Sequence, residues 1–323
     1  MYQIKIKINK NTDSQRLDLA LVKSNLSLSR RKIKKLIDIG SVYVNKRRVR
    51  IASYIVHKGD LIHIEYDPDL IVKLKYQNFN IIKDDVIFEN DDLIVINKPC
   101  GLPSQPTREQ ALVHVIECIK KFYKQQNLST PKDLILVHRL DKETSGVMLI
   151  AKNKKTARFL SQEFKNQKIQ KIYHAICYGV PKHINFQHQG YLSPINLHLG
   201  VVRAVNSSLN GRFALTQFKV LKTNNNLNIS LIEAIPKTGR SHQIRVHLHS
   251  LGYPIVGDKK YSTQYANLNK LPSKLKELIT HHFLHSKCMS LRINPKNEFH
   301  VFNADYPTNF KKFLYLSKLE DVQ

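Results

Sequence analysis

At 323 residues the chain is long enough for one or two domains with a full hydrophobic core, and 42% hydrophobic with 24% charged residues is an ordinary globular composition. The charge balance is not ordinary: 52 Lys+Arg against 25 Asp+Glu gives +27, which draws polyanions and makes nucleic acid the expected partner, although an AT-rich genome would also inflate the lysine count. A membrane partner is disfavoured, because no apolar run approaches the roughly 20 residues of a span and no lipidation signal is present.

In chain order, Met1 to Ile8 alternates apolar and polar residues like a strand and lacks the apolar block of a signal peptide. A short helix is predicted from Arg16 to Val22, capped near Asp13 or Ser14. Ser29 then caps a second helix whose Ile33, Leu36 and Ile37 share one face. Arg31, Lys34 and Lys35 fall on a different face, and Gly40 stops the helix. Val42 and Val44 alternate as a strand, Asn45-Lys46-Arg47 turns, and Gly59-Asp60 precedes a strand through Ile64. Basic residues dominate this unit: Arg30, Arg31, Lys34, Lys35, Lys46, Arg47 and Arg48 are among many that, from Arg16 to Ile64, face only Asp18, Asp38 and Asp60. A charge run is usually solvated surface, but a basic helix face beside a basic hairpin suits docking on phosphates.

Residues 67–82, with Pro68, read as a linker. A larger domain, 83–315, follows. Asp91 to Pro99 is a strand ended by proline; helices are predicted near Leu112–Lys124 and Lys154–Gln167, and strands at Lys171–Tyr178, Phe213–Val220 and Leu227–Ala234. Strands outnumber helices and their separators are hairpin-length, so the expected fold class is α+β with a mixed, mainly antiparallel sheet. No GxGxxG or P-loop opens a helix, so a nucleotide cofactor has no visible seat. Cys100, Cys118, Cys177 and Cys288 are widely spaced and expected to be reduced thiols, which suits a cytoplasmic protein.

The chemistry-bearing stretch is His138-Arg139-Leu140-Asp141-Lys142-Glu143-Thr144-Ser145-Gly146, set between the apolar runs Leu134–Val137 and Val147–Ala151. A lone Asp there is costly unless it is hydrogen-bonded, ion-paired or chemically employed, although a turn Asp bonding its own backbone is an equal reading on local pattern. Three further segments join it: Asn97-Lys98-Pro99-Cys100-Gly101, the Lys171-Ile172-Tyr173 strand, and Thr238 to His247, which packs Arg240, His242, Gln243, Arg245 and His247 together. No Gly-x-Ser-x-Gly elbow and no HExxH occurs, and His281 and His285, spaced i, i+4, lack the partners of a metal site.

These residues carry a resemblance. The unit from Arg16-Leu17-Asp18 through Gly59-Asp60 resembles an S4 RNA-binding domain, here 14–66. The His138–Gly146 stretch, the Asn97-Lys98-Pro99 segment, the Lys171-x-Tyr173 strand and the Gly239-Arg240-x-His242-Gln243-Ile244-Arg245-x-His247 segment resemble, in order, the RluA-type pseudouridine synthases that modify large-subunit ribosomal RNA. The segment after Gly101 and the partial motif at Leu284-His285-Ser286 depart from the family pattern only in loop detail.

The resemblance implies isomerisation of uridine to pseudouridine in 23S ribosomal RNA by a monomer without metal or organic cofactor. It implies Asp141 as the catalytic carboxylate, Arg245 as its partner and Tyr173 as the aromatic under the everted base. Arg139 would enter the RNA helix or hold phosphate, with His138, Lys98 and Arg240 contacting RNA nearby. His138 points to the large-subunit branch. The basic hairpin and the Ile169–Tyr173 segment look more like the RluC-type than the RluD-type subgroup. A synthase for another ribosomal site or a transfer RNA, and a non-catalytic ribosome-assembly factor, are the alternatives; free rRNA or an assembly intermediate would be the partner.

Overall fold

The computed structural model describes residues 2–24, 26, 28–38, 40–66, 79–106, 113–196, 200–262, 271–295 and 299–320, with side chains omitted at 2, 31, 35, 38 and 66. It divides into two compact units, residues 1–80 with 105–119, and residues 81–104 with 120–323. Most of the 67–82 segment and the start of the helix expected at Leu112 lie outside the described residues.

In the first unit, β1 (Tyr2–Lys7), β2 (Gln15–Arg16), α1 (Leu17–Lys23), α2 (Arg30–Asp38), β3 (Val42–Val44), β4 (Arg47–Arg48), β5 (Ile55–Val56) and β6 (Leu61–Tyr66) follow one another. The sheet order is β1-β6-β3-β4, with β2 and β5 paired separately. Leu17, Leu21, Ile33, Leu36, Ile37, Val42, Val44, Ile62 and Ile64 form its core. The first helix corrects the sequence reading. Its N-cap is Arg16, which brings no side-chain cap; instead the Tyr54 and Ala52 carbonyls take the Leu17 and Asp18 amides at 2.7 and 3.1 Å. Ser29 does cap α2, its Oγ accepting from Lys32 N. Asn45 and Lys46 both have positive φ, 48° and 65°, the backbone of a tight hairpin turn, and leave Lys46, Arg47 and Arg48 exposed.

The second unit begins with β7 (Val86–Glu89) and β8 (Leu93–Lys98); α3 (Val115–Gln125) spans the division between the units. Then come β9 (Ile135–Leu136), β10 (Ser145–Ala151), α4 (Lys154–Lys165), β11 (Gln170–Tyr178), β12 (Asn185–Leu192), β13 (Ala204–Val205), β14 (Arg212–Asn224) and β15 (Ile229–Pro236). The chain continues through α5 (Gln243–Ser250), α6 (Ser273–Lys276), β16 (Leu284–Arg292), β17 (Phe299–Asn303) and α7 (Thr308–Leu316). One sheet runs β13-β12-β14-β15-β11-β16-β10-β8-β7, with β17 beside β16 and β9 beside β10. Its pairings are antiparallel apart from β10 with β16.

Strand alternation sets which helix covers which face. Ala175, Cys177, Ile232 and Ala234 pack with Ile244 and Leu248 of α5, whereas Ile176, Tyr178, Ile229 and Leu231 pack with Phe310, Phe313 and Leu314 of α7. Leu160 of α4 joins Leu93, Val95, Val147 and Leu149. The run Leu134–Val137 supplies only the two-residue β9, while Val147–Ala151 is buried throughout. Among the described residues, no helix is long and apolar enough to cross a membrane.

Candidate active site

Asp141 sits in the turn that enters β10, and side chains from distant parts of the second unit fasten that turn. Ser104 Oγ donates to Leu140 O and accepts from Leu140 N at 2.7 and 3.1 Å. Thr144 Oγ1 meets His282 Nε2 at 3.0 Å, and Ser145 Oγ meets His285 Nδ1 at 2.8 Å. Glu143 Oε2 lies 3.4 Å from His282 Nδ1, and the contact holds the Glu143 carboxyl down at about 2. Gly146 has φ +109°, and a Cβ there would lie 2.2 Å from Ser286 O, so the close approach of β10 to β16 requires glycine.

The carboxylate faces α5. Arg245 Nη1 donates to Asp141 Oδ2 at 2.8 Å, while Nε and Nη2 donate to Asp258 Oδ2 and Oδ1 at 2.7 and 2.9 Å. Arg245 and Asp258 are 5% and 1% exposed at the side chain, but 28% of the Asp141 side chain reaches solvent. One buried guanidinium therefore serves two carboxylates, one sealed and one open. Burial works to raise the Asp141 carboxyl; His242, in the acid range where its ring is protonated, and Arg245 outweigh it and hold it below the usual range, so it is ionised at neutral pH with Arg245 as the cation beside it. Asp258 is depressed in the same way by Arg245 against burial. The Arg245 guanidinium also lies 5.0 Å from the centre of the Tyr261 ring.

Tyr173 lies on β11 opposite Ser286 of β16, whose register neighbour on the other side is Gly146. The ring is half-buried. Burial pushes its hydroxyl up to about 12, the Ser286 hydroxyl works against this, and the charge of Asp141 adds to the rise. Asp141, Tyr173 and Arg245 thus come together at the adjoining strand ends and the start of α5, with Arg139 exposed beside them in sequence.

Two candidates for RNA contact are corrected. Lys98 is fully buried, and its Nζ donates to the carbonyls of Pro99, Leu102 and Lys142 at 2.9, 2.8 and 3.2 Å. Burial lowers its pKa to about 7, and all of its donors are spent on locking the turn, so it cannot reach a phosphate. His138 accepts the Leu149 amide at Nε2, 2.9 Å away, and stacks on Phe164 with ring centres 4.9 Å apart. Burial drives its pKa to about 3, which leaves a neutral ring supporting β10 and no cation for RNA.

Arg240 is half-exposed and donates through Nε to Phe213 O at 2.9 Å, so only its terminal nitrogens face outward. Gln243, in the same segment, accepts from Thr238 and Arg240 and donates to Leu215 O and Thr216 Oγ1, which pins the start of α5. In the first unit Arg30, Lys34, Lys46, Arg47 and Arg48 are exposed, and Arg30 is also tied to the buried Asp18 at 3.1 Å. The side chains of Arg31 and Lys35 lie outside the described set. Of the described residues, no group of three His, Cys, Asp or Glu is placed to hold a metal ion.

The sequence reading missed Asp258 and Tyr261. The signal was present: Ile255-Val256-Gly257-Asp258 sets a lone carboxylate after an apolar pair, as the Asp141 stretch does. His242 was noted only as part of a cluster; its Nε2 is 3.8 Å from Asp141 Oδ2.

Residues 92–250 match the family described as RNA pseudouridylate synthase, and residues 15–62 match the S4 domain. The chain is similar to the ribosomal large subunit pseudouridine synthase D of Borreliella burgdorferi, 32% identical over 97% of this chain and 93% of that one. It is also similar to the ribosomal large subunit pseudouridine synthase C of Rickettsia felis, 37% identical over 78% of this chain and 83% of that one. Among solved structures, human RNA pseudouridylate synthase domain containing 4 superimposes with a TM-score of 0.59 at 30% identity, over 74% of this chain and 95% of that one.

Proposed function

The chain belongs to the RNA pseudouridylate synthase family, an isomerase acting on RNA, and from that premise we propose that it converts specific uridines of 23S ribosomal RNA to pseudouridine with Asp141 as the reacting carboxylate. The observation that carries the assignment is the Asp141–Arg245 pair, in which an ionised carboxylate held by a buried guanidinium keeps solvent access. Arg245 occupies Oδ2, so Oδ1 is the oxygen presented to the nucleoside. It engages either the sugar C1′ or the uracil C6.

The reaction breaks the C1′–N1 bond, turns the base and forms C1′–C5; the proton lost at C5 is matched by one gained at N1. No redox change occurs, so the chain's own residues suffice. A uridine inside folded RNA must leave its stack first. Tyr173 offers the everted base an aromatic face, and Arg139, planar and exposed, fills the vacated space or binds the phosphate. The outward nitrogens of Arg240 add a phosphate contact. Lys34, Lys46, Arg47 and Arg48 of the S4-like segment, 14–66, grip the RNA backbone, and 83–315 carries the chemistry. Because Asp141, Tyr173 and Arg245 all come from one chain, a monomer suffices.

The test is incubation with unmodified 23S transcript and mapping of pseudouridine by carbodiimide primer extension. Product that vanishes with Asp141→Ala is expected. RNA binding without product in the unsubstituted protein would favour an assembly factor instead.

A further inference from the structure

We propose that His242 is a further catalytic residue, a neutral Nε2–H donor that bonds a carbonyl oxygen of the everted uracil while the ring carries negative charge, and that Tyr261 is the positioning residue that fixes its tautomer. The inference rests on the reading of Asp141 as the reacting carboxylate.

Backbone geometry is the first observation. His242 caps α5 with φ 54° and ψ 16°, left-handed backbone that costs a residue with a Cβ about 1 kcal/mol. Strain of this kind persists where the surroundings hold it, and it clusters at functional sites. Here it turns the imidazole toward the Asp141 side of the site, with 9% of its side chain exposed.

The second observation fixes the proton. Tyr261 Oη accepts from Val202 N at 2.8 Å and lies 2.7 Å from His242 Nδ1. Val202 N can only donate, so of these two partners of Oη the one able to take the single phenolic proton is Nδ1. Nδ1 is then the acceptor, and the ring's own proton sits on Nε2. Nε2 is 3.8 Å from Asp141 Oδ2, beyond hydrogen-bond reach, so Asp141 does not consume that proton. The ring is also uncharged at neutral pH: burial lowers its pKa to about 4 against the pull of Asp141, with Arg245 and Lys260 lowering it further.

The chemistry needs such a donor. If C1′–N1 breaks first, its electron pair passes into the uracil and spreads over the carbonyl oxygens. If Asp141 adds to C6, the C5–C6 pair passes to the C4 oxygen. Either route builds negative charge on a carbonyl beside Asp141. A neutral N–H stabilises that charge without forming a competing ion pair with the carboxylate, and it is already oriented when the charge appears.

The experiment is a single-turnover measurement on ribosomal RNA transcript with the full chain in excess, alongside RNA affinity and thermal melting of each variant. His242→Ala is expected to slow the chemical step about 100-fold with RNA affinity unchanged. His242→Asn should be as slow, because it relieves the backbone strain but its amide cannot reach the Nε2 position. His242→Gln, whose amide does reach it, should recover most of the rate. Tyr261→Phe should slow the otherwise unsubstituted protein yet add nothing to His242→Gln, which has no tautomer to control. A His242→Ala protein with an unchanged rate, or a His242→Gln protein as slow as His242→Ala, overturns the proposal. If Asp141→Asn still forms product, the underlying reading falls with it; if Asp141→Asn is inactive beside a fully active His242→Ala, this inference alone fails.

Discussion

Arg245 grips Asp258 at two points, Nε to Oδ2 at 2.7 Å and Nη2 to Oδ1 at 2.9 Å, inside a site where the Asp258 side chain is 1% exposed. That grip fixes the plane of the guanidinium, so Nη1 can only point toward Asp141. Asp258 also accepts the Lys260 and Tyr261 amides on Oδ1, which ties the same group to its own turn.

Removing Asp258 should therefore destabilise the fold as well as the site. Asp258→Ala leaves a buried guanidinium half paired, and breaking such a pair costs about 3–5 kcal/mol. Urea denaturation should show a loss of that order. A loss below about 1 kcal/mol would mean that the pair is not formed in solution.

The pH profile should report the Asp141–Arg245 pair. In the intact protein the carboxyl is held below its ordinary 3.8, so the single-turnover rate should stay level from neutrality through pH 5. Arg245→Met leaves burial, which raises the carboxyl, less opposed. Its rate should be lost at higher pH, as the pH falls through the raised value. Stability follows the same sign: the depressed Asp141 and Asp258 contribute fully above about 3.8, the ordinary value, and the contribution is lost as pH falls through their lower folded values.

Gly146→Ala should disrupt the junction of β10 and β16. The added Cβ meets Ser286 backbone atoms at 2.2 and 2.7 Å, and backbone cannot swing aside as a side chain would. Overpacking alone costs about 1–3 kcal/mol, and φ +109° adds to it. The check is the urea midpoint, which should fall without a change in slope.

Lys98→Met separates a buried brace from an RNA contact. It takes the lysine donor from the carbonyls of Pro99 and Leu102 and leaves Lys142 O with the Gly101 amide alone; a carbonyl left unsatisfied costs about 1–3 kcal/mol. Melting temperature should drop sharply, while the RNA affinity of protein that remains folded should be unchanged. Weakened binding with normal stability would make Lys98 an RNA contact rather than a brace.

Lys46→Ala with Arg47→Ala tests the S4-like hairpin. Both side chains are exposed, Lys46 on the turn and Arg47 at the start of β4, and each phosphate contact contributes about one unit to the salt dependence of binding. The slope of log K against log salt should become shallower by about 2. An unchanged slope would remove the hairpin from the RNA interface.

Much of this molecule was legible before any coordinates. Alternation and i, i+3, i+4 spacing report burial directly, so α2, β8, β10 and β11 lie within a few residues of where the sequence sets them. Arg16 as the N-cap of α1 escaped because the acceptors for that helix are backbone carbonyls of Ala52 and Tyr54, which have no side-chain signature. Lys98 and His138 misled for a related reason. A basic residue in a motif reads as a ligand for phosphate, and only packing reveals that Lys98 is committed to three carbonyls and His138 to the Leu149 amide. Asp258 escaped because it lies 13 positions from Arg245, and spacing alone does not make it a partner.

Among the described residues the single parallel pairing, Ser145 with His285 and Gly146 with Ser286, joins chain segments 140 positions apart. While the protein is being translated, the Asp141 turn, already tied to Ser104 and Lys98, therefore waits for β16 and for His282 and His285 to leave the exit tunnel before its fastening is complete. The β1-β6-β3-β4 sheet, by contrast, is closed by Tyr66. A nascent chain would acquire its grip on RNA long before its reactivity, and an enzyme synthesised beside abundant ribosomal RNA stays inert until it is nearly complete.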